Sequence, residues 1–579
     1  MDYHQVYAQW LASGYFDPLT RAELESIQGN EREIQDRFYK TLEFGTGGLR
    51  GVIGAGTNRM NIYTIRIATQ GLANYILKNA EAREPGRPLR AALAYDSRRC
   101  SPEFAQEAAL VLNGNGIATF LFESLRPTPE LSFAVRFLDC AAGIMITASH
   151  NPPEYNGYKA YWSDGGQIPY PRDEEIIREV NLVTDFASIK VAKREDAEKT
   201  GLFNIIGREV DDAYIAKVKE QRVDLDLIKR AGAGLKVVYT PLHGAGNIPV
   251  RRALKESGFN NVTVVPEQEL PDPDFTTVGY PNPEDPKAFE LAIKLASKLD
   301  ADIIVGTDPD SDRLGAVVKN KAGEYVVLTG NMIGALLTEY ILSKKKAAGT
   351  LPENGAVIST IVSTDLTRAI TQRYGAAYIE VLTGFKYIGE RIKEFEQTGS
   401  HQFLFGFEES YGFLAGTHAR DKDAVVAALL ICELAACYKE RGLSLWDAVT
   451  ELYEQYGYYV EKTTSITLKG VEGAANIVKI MSRLRENPPD AINRVKVVEI
   501  RDYKNRVSTD LVSGAKTPVT LPVSDVVYYI LADSSWFCVR PSGTEPKIKI
   551  YFGVKDSSAE SAQKRIDGLI GAAAELVKA

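Results

Sequence analysis

Two adjacent prolines, Pro152 and Pro153, decide what the chain around them can become. Proline has a locked φ and no amide hydrogen, so neither a helix nor a central strand runs through such a pair. The residues ahead of it, Ile144-Met145-Ile146, form an apolar run that stops at Thr147-Ala148-Ser149-His150. Both features fit a buried strand that delivers a serine to a stiff loop at its tip. In open α/β sheets, ligands meet the protein at the carboxyl ends of strands. Ser149 therefore either carries or transfers a group, or it sits in an ordinary Ser/Asn/Pro turn. The stretch alone leaves both readings open.

The chain has 579 residues, too many for one hydrophobic core, and this length predicts roughly three to five domains. Apolar content of 45% and charged content of 25% are those of a soluble globular protein. A net charge of −8 argues against nucleic acid as a partner, since nucleic-acid binders carry a basic excess. No apolar stretch approaches the roughly 18 uncharged residues that span a bilayer, so no membrane partner is expected. Met-Asp-Tyr-His-Gln-Val-Tyr at the start lacks the pattern of a secretory signal. The five cysteines (Cys100, Cys140, Cys432, Cys437 and Cys538) show no zinc-ligand spacing and read as buried thiols in a reducing compartment. A cytoplasmic enzyme is the expectation.

Along the chain, Arg21–Tyr39 has helical periodicity. Glu43-Phe44-Gly45-Thr46-Gly47-Gly48-Leu49-Arg50-Gly51 then gathers four glycines around one arginine. That composition suits either close backbone approach to an anion or a plain glycine turn, and its spacing fits neither common nucleotide loop. Strands and helices alternate from Arg66 to Phe122: a helix at 66–80, a strand at 89–95 ending in Asp96-Ser97-Arg98-Arg99, a helix at 102–112 and a strand at 118–122. This is the pattern of an α/β domain. Residues 172–222 read as charged and helical. A second series starts with a strand at 235–240 and the loop Pro241-Leu242-His243-Gly244-Ala245-Gly246, where His243 reads as structural. Residues 266–286 read as an irregular surface loop.

The strand 301–307 leads into Asp308-Pro309-Asp310-Ser311-Asp312-Arg313. In an extended backbone, three aspartates at alternate positions converge, and hard oxygen donors of this kind suit Mg²⁺. A calcium-binding EF-hand loop fails, because Arg313 and Lys319 stand where it needs Gly and Glu. A solvated acidic turn is the remaining alternative. In a third series a strand at 357–362 is followed by another closed by Thr383-Gly384-Phe385-Lys386. Phe403–Phe407 then presents Glu408-Glu409-Ser410-Tyr411-Gly412, carboxylates and a hydroxyl that fit a sugar or a simple turn. His418–Asp423 starts a long helix at 424–438. After about residue 458, strand-like and helix-like segments suggest a separate α+β domain. Within it, Arg540-Pro541-Ser542-Gly543-Thr544-Glu545-Pro546-Lys547 packs two basic side chains and two hydroxyls into one loop, a good phosphate cradle.

Four strand-tip loops thus offer a serine, an acidic triplet, a carboxylate pair and an anion cradle. Together they suggest phosphoryl transfer to a sugar. In order and wording they resemble the α-D-phosphohexomutases: Thr147–Pro152 resembles their phosphoserine loop, Asp308–Arg313 their Mg²⁺ loop, Gly406–Gly412 their sugar loop and Arg540–Thr544 their phosphate loop. The resemblance implies three similar mixed-sheet α/β domains plus a C-terminal α+β lid domain around a central cleft. These are expected at residues 1–206 (with an N-terminal helical extension), 207–323, 324–453 and 454–579.

It further implies that Ser149 is the phosphorylated nucleophile and that Lys159 is the general base, its pKa depressed by burial or by nearby cations. His150, Arg50 and Arg313 would surround the transferring group. Asp308, Asp310, Asp312 and a Ser149 phosphoryl oxygen would bind one Mg²⁺ per chain. Glu408, Ser410, Thr383 and Gly384 would hold the sugar, and Lys422, Arg540, Ser542, Gly543 and Thr544 the distal phosphate. Sugar phosphates would be the partners of a monomer or small homo-oligomer, with glucose 1,6-bisphosphate as primer.

The Glu-Glu-Ser wording and long N-terminus look most like the phosphoglucomutase/phosphopentomutase branch. Glucose 1-phosphate/glucose 6-phosphate is the expected pair, a pentose phosphate the alternative and mannose less favoured. A metal-dependent phosphatase would need clustered His ligands, which five scattered histidines do not offer. A non-catalytic paralogue would be expected to have lost Ser149, an aspartate or Lys159, and all are present.

Overall fold

A computed structural model describes residues 2–43, 48–79, 88–468, 470–541 and 547–577. They form two compact units. The first comprises Met1–Leu328, Ile388–Gly399 and Ser410–Gly442; the second comprises Thr329–Tyr387, Ser400–Glu409 and Leu443–Ala579.

The first unit begins with three helices, Tyr3–Ala12, Pro18–Ser26 and Glu31–Phe38. The single helix expected at Arg21–Tyr39 is broken at Gly29, whose φ of +82° is a left-handed turn, and Asn30 caps the next helix by accepting from Glu33 N. The three helices bury Trp10, Phe16, Leu24, Ile34 and Phe38 against Tyr63.

The first sheet contains β1 (Leu49–Val52), β2 (Arg90–Tyr95), β3 (Ala118–Phe122), β4 (Ala142–Ile146), β5 (Tyr155–Trp162) and β6 (Phe203–Ile206), in the order β1-β5-β4-β2-β3-β6. The β2–β4, β2–β3 and β3–β6 pairs are parallel, and β5 runs antiparallel to β4 and β1. All five residues of β4 are buried, as its unbroken apolar run requires. β6 lies inside the stretch read as wholly helical. It is four residues long and half-exposed, too short for a period to show.

The second sheet contains β7 (Val237–Thr240), β8 (Val262–Val264), β9 (Ile303–Thr307), β10 (Leu314–Lys319) and β11 (Tyr325–Val327), in the order β11-β10-β9-β7-β8. Its β10-β9-β7-β8 core repeats the β5-β4-β2-β3 core of the first sheet. In both, a parallel strand turns through one loop into an antiparallel neighbour. Those two loops are 147–154 and 308–313. The first two strand–helix series of the sequence therefore repeat one topology, which puts the serine and the aspartates at equivalent corners.

In the second unit β12 (Gly355–Thr360) lies between β13 (Ala377–Val381) and β14 (Gln402–Glu408), all parallel. β14 is followed along the chain by β15 (Gly412–Ala415), which belongs to the first unit. The C-terminal sheet contains β16 (Tyr458–Thr467), β17 (Ala491–Ile492), β18 (Val495–Asp502), β19 (Val507–Asp510), β20 (Lys516–Pro518), β21 (Val527–Leu531), β22 (Trp536–Pro541) and β23 (Lys547–Asp556). Its order is β16-β23-β22-β21-β18-β19-β20, with β17 paired to β18 and every described pairing antiparallel.

One face of this sheet is covered by the helices Gly470–Glu486 and Ala559–Leu576 through Ile480, Leu484, Ile566 and Leu569. The other presents Tyr528, Trp536, Cys538 and Tyr551 to Ile361, Val362 and Leu382, just beyond β12 and β13. Trp536 also donates its indole N–H to Asp365 at 3.1 Å. Any lid motion of the C-terminal sheet has to break this aromatic cluster or carry its partners along. No helix among the described residues is long and apolar enough to cross a membrane.

Candidate functional site

Ser149 adopts φ +51°, a left-handed conformation uncommon for serine. Its amide donates to Thr147 Oγ1 at 2.7 Å, and the Thr147 hydroxyl donates in turn to the buried Asp96 at 2.6 Å. Arg98, also fully buried, donates to Pro152 O (2.8 Å) and Tyr155 O (3.0 Å) and reaches Ser149 O and Asn151 O as well. Three carbonyls of the loop and that of Tyr155, the first residue of β5, thus converge on a single guanidinium. This is how a loop without regular secondary structure is held in a strained shape. Asp96 steadies the arginine with a 3.3 Å ion pair. Neither residue stands out in the sequence, because Asp-Ser-Arg-Arg after a strand carries no ligand spacing.

The Ser149 hydroxyl donates to Asp308 Oδ2 at 2.6 Å and lies 3.1 Å from His150 Nδ1. Burial, reinforced by the charges of Arg313 and Arg50, pushes the His150 imidazole well below its ordinary pKa, so the ring is neutral. Arg50, on β1, donates to Asn151 Oδ1 at 3.0 Å, which ties β1 to the serine loop. Arg313 pairs with Glu284, and Tyr280 meets the His150 ring edge-on at 5.8 Å. Both partners come from 266–286, the stretch whose composition predicts an irregular surface loop. That loop instead buries Phe275 and Gln268 and delivers side chains to the site. His243 is structural as expected: its ring nitrogens lie 2.9 Å from Leu270 O and 2.8 Å from Thr277 Oγ1.

Asp308, Asp310 and Asp312 are all buried, and they offer carboxylate oxygens within 4.8 Å of one another. Asp308 Oδ1 accepts the amides of Asp312 and Arg313, which curls the loop. Asp310 accepts from Thr128 Oγ1 (2.8 Å) and Lys159 Nζ (2.7 Å). Asp312 accepts from Lys159 at 3.3 Å and pairs with Lys422 at 3.2 Å.

Burial and the neighbouring carboxylates drive Asp308 well above the ordinary range. Against the same burial, lysine and arginine charges hold Asp312 below it, and Asp310 is lowered by Lys159. Three carboxylates this close do not all ionise without a cation. Asp310 Oδ1 and Asp312 Oδ1 are also buried with no hydrogen-bond partner among the described residues. The donor set fits a hard divalent cation.

Lys159 departs from expectation. Burial disfavours its charge, but Asp310 and Asp312 outweigh burial and hold the ammonium above the ordinary lysine value rather than below it. The cause is the two carboxylates, whose positions about 150 residues away in the chain give no local signal.

The first unit thus brings together Ser149, His150, Arg50, Lys159, Arg313, Lys422 and the three aspartates; Ser410 also belongs to it. The second holds Thr383, Gly384, Glu408 and Arg540. There Gly384, at φ +126°, donates its amide to Glu408 Oε1 at 2.7 Å. Glu409 accepts from Thr360 Oγ1 at 3.1 Å, and burial together with the Glu408 charge pushes it up to about 7. Arg540, on β22, and Glu409 both act electrostatically on Tyr551 and Cys538. Ser542, Gly543 and Thr544 lie outside the described residues.

Models of the phosphoglucomutase/phosphomannomutase family match in four consecutive stretches: alpha/beta/alpha domain I at 41–185, domain II at 212–323, domain III at 329–456 and the C-terminal domain at 480–565. The chain belongs to this family of phosphate-transferring isomerases, as the four motifs implied. A phosphoglucomutase of Staphylococcus aureus (strain bovine RF122 / ET3-1) is 38% identical over 555 residues, 96% of each chain. One of Staphylococcus epidermidis (strain ATCC 35984 / DSM 28319 / BCRC 17069 / CCUG 31568 / BM 3577 / RP62A) is 36% identical over 563 residues, 97% of this chain and all of that one. The open form of the Paramecium exocytosis-sensitive phosphoprotein pp63/parafusin shares the fold, with a TM-score of 0.66 at 18% identity over 93% of this chain and 95% of that one.

Proposed function

We propose that the protein interconverts glucose 1-phosphate and glucose 6-phosphate, with Ser149 carrying the phosphoryl group between substrates. The observation that carries this reading is Ser149 Oγ at a left-handed strand tip, 2.6 Å from a buried aspartate triplet. Full-length similarity to proteins named phosphoglucomutase supports the glucose pair.

Phosphoserine 149 donates its phosphoryl group to the free hydroxyl of a bound sugar monophosphate. The P–O bond to serine breaks as the P–O bond to the sugar forms, giving glucose 1,6-bisphosphate. After the bisphosphate turns over, its other phosphate returns to Ser149 and the isomeric monophosphate leaves. Bisphosphate added from outside primes an unphosphorylated chain.

A divalent cation, Mg²⁺ by its match to an all-oxygen donor set, would be held by Asp308, Asp310, Asp312 and a Ser149 phosphoryl oxygen, and would neutralise charge on that group. Arg50 and Arg313 supply further positive charge, and neutral His150 donates or accepts at the serine oxygen. Lys159 takes the sugar hydroxyl proton only after losing the proton that Asp310 and Asp312 hold on it. Glu408, oriented by Gly384 N, accepts sugar hydroxyls together with Ser410, while Arg540, Ser542, Gly543, Thr544 and Lys422 hold the distal phosphate. The free thiols of all five cysteines support a cytoplasmic, reducing location.

The test compares kcat/KM for glucose 1-phosphate, mannose 1-phosphate and ribose 1-phosphate in the presence of glucose 1,6-bisphosphate. Glucose 1-phosphate is expected to lead. A higher efficiency with the pentose would replace this reading with a phosphopentomutase.

A further inference from the structure

In each of the three aspartates the protein holds one carboxylate oxygen and treats the other differently. Asp308 Oδ1 takes the amides of its own loop. Asp312 Oδ2 lies 3.3 Å from Lys159 Nζ and 3.2 Å from Lys422 Nζ. Asp310 Oδ2 accepts from Lys159 Nζ at 2.7 Å and from the Thr128 hydroxyl at 2.8 Å. Of the second oxygens, Asp308 Oδ2 faces the Ser149 hydroxyl. Asp310 Oδ1 and Asp312 Oδ1 are buried with no hydrogen-bond partner among the described residues. A metal-ligating carboxylate is oriented in this way, by a hydrogen bond to the oxygen the metal does not take.

Among the described residues, Thr128 is the one neutral side chain in this set of anchors. It is fully buried and opens the helix Thr128–Phe137, set between Pro127 and Pro129. The amide of a first helical residue has no acceptor within its own helix, and that of Thr128 donates to Asp310 O at 2.9 Å. Thr128 thus holds Asp310 twice, by backbone and by side chain. The flanking carbonyls are held as well, Pro309 O by Ala245 N at 2.8 Å and Ser311 O by Ala424 N at 3.2 Å. Those two bonds fix the path of the loop and touch no carboxylate. Lys159 is not a standing anchor, because the proposed reaction calls it to the sugar hydroxyl. Thr128 is the anchor that stays.

We propose that Thr128 is a positioning residue of the metal site, its hydroxyl holding Asp310 Oδ2 so that Oδ1 stays open to the cation. This rests on the reading of the aspartate triplet as a metal site. Thr128 carries no ligand spacing in the sequence, since it lies about 180 residues from the aspartate that it holds.

The experiment measures Mn²⁺ binding to the full-length protein by electron paramagnetic resonance, in the wild type and in Thr128→Val, Thr128→Ala, Thr128→Ser and Asp312→Ala. Thr128→Val and Thr128→Ala are each expected to bind Mn²⁺ about tenfold or more weakly, and Thr128→Ser within about threefold of the wild type. Valine keeps the side-chain volume and alanine leaves a void, so a packing fault alone would not make the two agree. Turnover of Thr128→Val should recover as Mg²⁺ is raised by about the factor lost in affinity, which a damaged fold would not do. Affinity within about twofold of the wild type in either variant lacking the hydroxyl would overturn the proposal. A loss in Thr128→Ser as large as in Thr128→Val would also overturn it, by assigning the effect to packing. A wild type that binds no Mn²⁺, or an Asp312→Ala variant of unchanged affinity, would instead overturn the metal site itself.

Discussion

The chain presents acidic side chains at strand tips twice, and treats them in opposite ways. Beyond β9, Asp308, Asp310 and Asp312 are crowded within 4.8 Å, and two of their oxygens are left without partners among the described residues. At the end of β14, Glu408 receives the amide of Gly384 and Glu409 the hydroxyl of Thr360. Crowded carboxylates that keep two oxygens without partners, even beside Lys159 and Lys422, are costly unless a further cation joins them. Glu408, answered by a backbone amide, needs no cation and serves to orient a ligand, while Glu409 beside it meets burial and the Glu408 charge by holding its proton. The two clusters look alike in sequence; their partners separate them.

The largest effect that tests this contrast is removal of the cation or of its ligands. Chelation, or Asp312→Ala, is expected to lower turnover by about a thousandfold or more, with Mg²⁺ restoring the chelated protein but not the variant. Next is the loop that presents Ser149. Arg98→Lys keeps the charge but loses the fork that gathers four carbonyls, and a drop in kcat of about a hundredfold with little change in KM is expected. An effect confined to KM would mean that Arg98 does not position the serine.

Glu408→Gln, which removes one sugar acceptor from an otherwise intact strand end, should cost about tenfold to a hundredfold in kcat/KM. A loss equal to that of Asp312→Ala would erase the distinction between the clusters.

The smallest effect is on stability. Glu409 is held at about 7, above its ordinary 4.5, so the folded chain binds the extra proton in that window. Stability therefore falls as pH rises from about 4.5 to about 7 and does not recover from this group above it. Glu409→Gln should flatten that slope and raise stability at about pH 8 by about 1–2 kcal/mol in urea titrations. An unchanged slope would show that Thr360 and its neighbours leave Glu409 ionised.

The sequence made some of this visible for physical reasons. The Ser149 strand shows because an apolar run and two prolines admit few alternatives, and the aspartates show because alternate spacing converges in an extended chain. Arg98 stayed hidden because its task is to gather carbonyls, which leaves no side-chain pattern. Glu284 and Tyr280 stayed hidden in a proline-rich loop whose burial depends on distant packing. The protonation of Lys159 ran opposite to expectation because the carboxylates that set it come from another domain. The repeated topology of the first two sheets was legible as alternating strands and helices, whereas four-residue β6 was too short to register.

The central claim is that Ser149 carries the phosphoryl group, and the most direct measurement is peptide mass spectrometry after exposure to glucose 1,6-bisphosphate, alongside the rate of Ser149→Ala. One added phosphoryl group on the Ser149 peptide, and interconversion abolished in the variant, is the predicted result. Phosphorylation at another residue, or near-normal turnover in Ser149→Ala, would contradict it.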